Sequence, residues 1–328
     1  MDTLSHQGPA STYKNGKIKQ GEESAHLYNL MYEDIENTAD WLRMRTKHQP
    51  TIAVICGTGL GGLADLLTDT DVFHYRDIPN FPISTVPGHA GRLIFGMLNG
   101  KCCVCMQGRF HSYEGYPMWK LTFPVRVFSR LGVEVMYVTN ACGAVNPGYK
   151  EGDLMIIKDH INLPGLCGFS PLVGVNDERF GARFVAMSSA YDRKLRQLCW
   201  KVSKDLGFDF MREGVYLVQT GPTFETVAEC RMVRVMGADV VGMSTVPEVT
   251  VARQCGMKCF GLSLVTNCCI MDEDTEEKAN HEEVLEMGRL RGKDTQKLIY
   301  TMIGEMTLDG KIDENYNSTD EIDLTAQE

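Results

Sequence analysis

The chain has 328 residues, is 43% hydrophobic and 23% charged, and carries a formal charge of −10. That length builds one large α/β domain or two small ones. The acidic balance argues against nucleic acid, whose backbone demands a basic face, and no apolar run reaches the roughly 18 residues that span a bilayer. The charge is also uneven, because residues 309–328 hold seven acids against Lys311, a local −6 that leaves −4 for the rest. That tail lacks core-forming residues, as does the Ser-, Gly- and Gln-containing start. We therefore expect a disordered N-terminal extension over 1–26, one folded domain over 27–308 and a disordered acidic tail over 309–328. Residues 1–6 show neither the basic nor the apolar region of a secretory signal, and the twelve cysteines fall mostly in apolar runs, as small hydrophobes do in a reducing compartment. A cytoplasmic protein is expected. The clusters Cys102-Cys103-Val104-Cys105 and Cys268-Cys269 lack paired C-x-x-C spacing, so no metal is expected.

In chain order, a helix over 32–45 precedes a first strand over 52–56, which runs into Gly57-Thr58-Gly59-Leu60-Gly61-Gly62. Glycines there let successive backbone N–H groups converge on an anion, and Thr58 adds a hydroxyl. The spacing also satisfies the G-x-G-x-x-G dinucleotide fingerprint, but only a short helical stretch, 63–67, follows it. The acid about 20 residues on, Asp77, leads into Ile78-Pro79-Asn80-Phe81-Pro82, which is loop chemistry rather than a ribose-binding strand end. No Walker sequence is present, since Gly100-Lys101 is followed by Cys102. Further strands are expected over 93–98, 102–107, 133–139, 153–157, 214–220, 240–243 and 258–266, with helices over 118–131, 191–206, 226–236, 247–255 and 280–302. This alternation implies a single α/β domain with a central mixed sheet flanked by helices.

In such sheets ligands lie beyond the carboxyl ends of the strands, and the residues there are chemically rich. Segment 107–117 offers Arg109, His111, Tyr113 and Glu114. Segment 139–143 ends a buried strand with small residues suited to a backbone donor. Phe224 and Glu225 stand just before a helix capped by the box Thr226-x-x-Glu229, and Ser244 stands beside a second box, Thr245-x-x-Glu248. Asn267 ends an apolar strand, and His281 opens the last helix. Singly, each has a structural account: Arg109 paired with Glu114, Phe224 in the core, Asn267 capping its strand, a loop histidine at His89. Together they supply an anion nest, an Arg, a His, a stacking aromatic, a carboxylate and an amide. No G-x-S-x-G elbow surrounds Ser244 or Ser263, and no H-E-x-x-H begins at His281, which excludes the common serine and zinc hydrolases. The inventory fits a phosphate held beside a polar heterocycle.

The segments 55–62, 84–91, 107–117, 221–229, 242–248 and 278–283 together resemble the purine nucleoside phosphorylases of the trimeric, low-molecular-mass class, over about residues 32–304. The resemblance implies a phosphorylase-like α/β fold that needs no metal or organic cofactor, with orthophosphate as co-substrate. It implies cleavage of inosine, guanosine and their 2′-deoxy forms to free base and α-ribose 1-phosphate, in purine salvage. Carried over by position, phosphate is held by Thr58, His89, Arg109, His111, Ala141 and Ser244. The ribose lies against Tyr113 and Met243 with His281 at its 5′-hydroxyl, and the base on Phe224 with Glu225 and Asn267 on its edge. Asn267, Glu225 and His111 are the catalytic residues by the same resemblance, and Phe184 closes the pocket of a neighbouring subunit in a homotrimer. Thr58 stands in place of a usual Ser, and Cys142, Ala144-Val145 and Cys268 depart from the common pattern. Two alternatives stay open: a 5′-methylthioadenosine phosphorylase, disfavoured by Asn at 267 and His at 281, and a nicotinamide-dependent oxidoreductase, which keeps only the glycine loop.

Overall fold

In the computed structural model the described residues are 20–86, 89–275 and 281–306, with backbone alone for 20–30 and His281. The acidic tail and residues 1–19 of the N-terminal extension lie outside them. Helix α1 runs Gln20–Arg43, so residues 20–26, assigned above to the extension, are helical.

Nine strands follow: β1 (Ile52–Cys56), β2 (Thr68–His74), β3 (Arg92–Leu98), β4 (Lys101–Gln107), β5 (Val135–Ala144), β6 (Leu154–Asn162), β7 (Met211–Val218), β8 (Val240–Gly242) and β9 (Lys258–Cys268). The later helices are α2 (Met118–Leu121), α3 (Phe123–Arg130), α4 (Leu163–Leu166), α5 (Arg193–Asp205), α6 (Val227–Val235), α7 (Val246–Gln254) and α8 (His281–Glu305). The strands form one mixed sheet in the order β2-β3-β4-β1-β5-β8-β7-β6-β9. Because β9 also pairs with β5, in parallel from Val135 to Ala144, the second half of the sheet closes on itself into a small barrel. β5 is the shared wall. Its first residues pair with β1, and its last two, Gly143 and Ala144, pair antiparallel with Val241 and Val240 of β8.

The period-2 pattern of the central strands explains why they lie between layers. Ala53 and Ile55 of β1, with Val104 and Met106 of β4, face a core built with α1, α3 and α7. Ile52, Val54 and Cys56, with Cys103 and Cys105, face a second core built with α5 and α8. A strand buried on both faces has no polar side to show, so it reads as a continuous apolar run. Each such aliphatic side chain contributes about 1.5–3 kcal/mol on burial. Strand β2 is the exception. Its sequence Thr-Asp-Thr-Asp-Val-Phe-His leaves most residues exposed at the sheet edge, and no sequence signal separated it from a loop. The barrel closure likewise has no local signature.

Candidate active site

The loop after β1 leads into a short 3-10 helix, Gly61–Leu66, instead of a crossover α-helix. Its glycines are dictated by contact. A Cβ on Gly57 would sit 2.7 Å from the Thr139 carbonyl oxygen, and one on Gly59, where φ is +75°, would sit 2.8 Å from Cα of Gly288 on α8. The loop is thereby clamped between β5 and α8. The Gly57 N–H donates to Thr139 Oγ1 (3.0 Å), and Thr58 Oγ1 lies 3.3 Å from His89 Nε2.

Beside it a cavity of about 410 Å³ opens at the carboxyl ends of the strands. Its walls bring together Thr58, Arg109, His111, Tyr113, Ala141, Phe224, Glu225, Met243, Ser244 and Asn267, residues spread over more than two hundred positions. His89 stands behind this wall, in contact with Thr58 and Arg109. Phe184 takes no part in this cavity and is 91% exposed. His281 begins α8, whose Val284 lines the cavity, but its side chain lies outside the described residues.

Arg109 is the most buried of these groups, at 1% exposure. Its Nε donates to Glu248 Oε1 (3.1 Å), and its Nη1 donates to the Thr139 carbonyl (2.6 Å) and to Ser244 Oγ (3.2 Å). Nη2 is buried and has no hydrogen-bond partner. A buried guanidinium donor left unpaired is costly, and an anion in the cavity is the group that relieves it. Arg109 is therefore paired with Glu248, not with Glu114. Glu248 in turn forms no capping box: Thr245 holds φ +73° and makes no side-chain cap to α7. The second box read from the sequence is thus corrected. The acid at 248 turns inward to the arginine, and the Thr245 hydroxyl receives Asn140 Nδ2 (2.9 Å). A β-branched residue at positive φ is strained, and it sits at the turn that presents Ser244. The first box, Thr226 with Glu229, is formed as read.

His111 stacks between Tyr113 (4.7 Å between centroids) and His89 (5.5 Å). Its Nδ1 meets Glu114 Oε1 at 3.3 Å, and its backbone N–H donates to the same oxygen. Partial burial acts to raise the Glu114 pKa, but hydrogen bonds from the His111 ring, from Thr85 N–H (2.7 Å) and Oγ1 (2.8 Å) and from the His111 backbone outweigh it and hold the carboxyl at about 2. An ionised Glu114 only accepts, so Nδ1 of neutral His111 carries the proton and Nε2 keeps its lone pair. Burial lowers the His111 pKa, and burial followed by the repulsion of His111 lowers His89 to about 4. Both rings are neutral at pH 7. Burial raises the pKa of Tyr113 to about 12.

On the opposite wall, Gln219 organises the loop that carries Phe224 and Glu225. Its Oε1 accepts from Gly221 N–H (2.6 Å), and its Nε2 donates to the Thr223 carbonyl (3.0 Å) and to Glu225 Oε1 (2.8 Å). Burial raises the Glu225 pKa. Phe224 is 42% exposed on the cavity wall, not core. Asn267, the penultimate residue of β9, lines the cavity, and its Oδ1 accepts from Thr266 Oγ1 (3.2 Å). Sequence reasoning missed Gln219 and gave Glu248 a helix cap in place of its arginine. The partner of Glu248 lies 139 positions away, and Gln219 serves a loop, 221–225, whose conformation has no periodic signal.

An anion cradle facing a polar, aromatic-walled slot across about 410 Å³ defines a nucleoside- and phosphate-handling enzyme class. The chain belongs to the phosphorylase superfamily, whose family model matches residues 51–304. It is 57% identical over 280 residues to the purine nucleoside phosphorylase of Bos taurus, covering 85% of this chain and 97% of the relative. It is 52% identical over 254 residues to purine nucleoside phosphorylase 1 of Geobacillus stearothermophilus, covering 77% and 90%. Among solved structures, the Schistosoma mansoni purine nucleoside phosphorylase in complex with inosine matches with a TM-score of 0.81 at 47% identity, over 84% of this chain and 97% of the other. At these identities and coverages the chain belongs, within that superfamily, to the family of the purine nucleoside phosphorylases.

Proposed function

We propose that this chain cleaves 6-oxopurine nucleosides, inosine and guanosine with their 2′-deoxy forms, by transferring the sugar to orthophosphate. The observation that carries the reading is the buried, unpartnered Nη2 of Arg109 beside Ser244 and Thr58, which asks for an anion, facing a slot closed by Phe224, Glu225 and Asn267. Similarity to a relative solved with inosine supports it.

In the proposed reaction Thr58, His89, Arg109, His111, Ala141 and Ser244 hold phosphate. Its O–H can donate to the His111 Nε2 lone pair while Arg109 and Ser244 donate to its other oxygens. The C1′–N9 bond breaks with its electron pair passing into the purine, a phosphate oxygen bonds to C1′, and the products are the base and α-ribose 1-phosphate. Negative charge arriving at N7 and O6 is met by Asn267, and Glu225 grips the opposite ring edge. Tyr113, Met243 and His281 carry the sugar. No cofactor is needed, because phosphate is the nucleophile and the purine the leaving group. Asn267 and His281 favour this over 5′-methylthioadenosine, where an acid and an apolar residue would suit. A dinucleotide reading loses its support with the crossover helix, since only the short 3-10 helix Gly61–Leu66 follows the glycines. The exposure of Phe184 supports a homotrimer in which it reaches the neighbouring site. A cytoplasmic role in purine salvage accompanies this reading; no helix among the described residues is long and apolar enough to cross a membrane.

Release of hypoxanthine from inosine, with and without orthophosphate, tests the proposal. Strict phosphate dependence with ribose 1-phosphate formed is expected. Release at the same rate without phosphate would make the chain a hydrolase and overturn it.

A further inference from the structure

Behind the base-binding wall, three side chains that serve no common role in the reaction converge. The liganding atoms of Glu225, Cys230 and Cys269 all lie within 4.8 Å of one another. Each is fixed by a different element. Glu225 is held by Gln219; Cys230 is buried on the first turns of α6, whose start is pinned by the Thr226 box. Cys269 follows β9, with its N–H bonded to the Ala144 carbonyl at 2.8 Å, and its thiol sits so close over Gly143 that a Cβ there would meet Sγ at 2.7 Å. The two thiols face one another within that same distance. Gly143 and Glu225 both line the substrate cavity, so the cluster has an approach from solvent.

We propose that Glu225, Cys230 and Cys269 form a binding site for a thiophilic divalent cation of the zinc class, and that its occupancy withdraws the Glu225 carboxylate from the purine. Two sulfurs and one carboxylate oxygen are a borderline-soft donor set that suits zinc or cadmium and excludes magnesium and calcium, which take oxygen shells. Tetrahedral bonds of about 2.3 Å to sulfur and 2.0–2.2 Å to oxygen set sulfurs roughly 3.8 Å apart, inside the 4.8 Å that encloses the three ligand atoms, and leave the fourth position to water. Binding replaces the two thiol protons, which pass to solvent, and changes no oxidation state. The expectation of a metal-free chain, drawn from the missing C-x-x-C spacing, overlooked this cluster because its sulfurs lie 39 positions apart in sequence, at 230 and 269. The effect on purine binding rests on the role proposed for Glu225, whereas the cation site does not.

The test uses the full chain, freed of metal by a chelator and kept reduced by a phosphine, titrated with Cd²⁺ while thiolate-to-cadmium charge-transfer absorption is followed. One equivalent per chain is expected to give the band. Cys269→Val should weaken cadmium binding at least tenfold and abolish the band, while Cys268→Ser, next door and exposed, should leave both unchanged. Metal-free Cys269→Val should cleave inosine normally, which shows that it is folded. Equal absorption in wild type and Cys269→Val, or its loss in Cys268→Ser, overturns the site. With the site established, one equivalent of Zn²⁺ should raise KM for inosine about tenfold or more in wild type and not in Cys269→Val, and hypoxanthine should weaken cadmium binding. A Cys269-dependent band that hypoxanthine does not affect would leave the cation site standing and overturn the role given to Glu225.

Discussion

Arg109 is where the energetics of the site concentrate, because a guanidinium at 1% exposure has to be both neutralised and hydrogen-bonded. Glu248 at 3.1 Å supplies the charge, and Nη2 is left for the anion. Removing the acid by Glu248→Gln strands a buried cation, a loss of about 3–5 kcal/mol of stability. Phosphate should restore part of that loss, so urea unfolding with and without phosphate should show a larger phosphate increment in Glu248→Gln than in wild type. Equal increments would mean that Arg109 does not meet the anion. Asn267→Ala should lower kcat about 10²–10³-fold, the usual cost of one donor to developing negative charge, with KM for phosphate little changed. Unaltered turnover would remove Asn267 from leaving-group stabilisation. The histidines give a pH signature. His89 has a folded pKa of about 4 against an unfolded value near 6.5, so the unfolded chain binds more protons between these values. Stability is therefore present above pH 6.5 and is lost as pH falls toward 4, by at most about 1.4 kcal/mol per pH unit from this ring. Replacing it by His89→Asn should flatten the slope of unfolding free energy between pH 7 and pH 5, and phosphate should flatten it in wild type by stabilising the charged ring. Identical slopes in wild type and variant would contradict the burial of a neutral His89.

The elements hold these residues through backbone contacts that side-chain chemistry alone does not reveal. The glycine loop touches α8 where Gly59 meets Gly288, and Gly59 holds a left-handed φ of +75°. Gly59→Ala meets both penalties, the conformation and a Cβ 2.8 Å from backbone, and should cost roughly 2 kcal/mol or more while weakening phosphate binding. Thermal unfolding and the phosphate KM check this; a neutral effect on both would mean that α8 yields at this contact. What could be read from the chain divides along the same line. Strand β1 is legible over its full extent, Ile52–Cys56, because both its faces are buried and its apolar run is uninterrupted. The Thr226 box was legible because donor and acceptor are three residues apart. The Thr245 box had the same spelling and failed, because a buried arginine 139 positions away outcompeted the helix end for Glu248. Strand β2 was hidden by its polar edge, and the predicted helix over 118–131 is broken at Thr122 into α2 and α3, where Pro124 begins a new first turn. Ten of the site residues named from the sequence line one cavity, since strand ends converge by topology; Gln219 and the true partner of Glu248 escaped because those roles exist only after the chain has folded.

At the scale of the whole molecule the unexplained residue is Phe184. A phenylalanine at 91% exposure, in a segment that also exposes Phe169, Val173 and Val175, does nothing for its own cavity and is an unfavourable surface for an isolated chain. The homotrimer proposed above gives it a use, since a heterologous contact carries one protomer's surface into the next protomer's site and closes into a ring. On that reading Phe184→Ala should raise KM for inosine tenfold or more and leave the anion cradle of the same chain intact. Loss of affinity alone would not separate a shared site from a distorted fold, so the decisive form is complementation. A Phe184→Ala chain keeps Arg109, and an Arg109→Ala chain keeps Phe184. Each alone should be poorly active at low inosine. Unfolded together in equal amounts and refolded, they should place an intact cradle beside an intact phenylalanine in about a quarter of all sites. Low-KM activity should reappear at about that fraction of wild type. If Phe184 served its own pocket, no mixed assembly would contain a complete site, and the mixture would be no better than its parts.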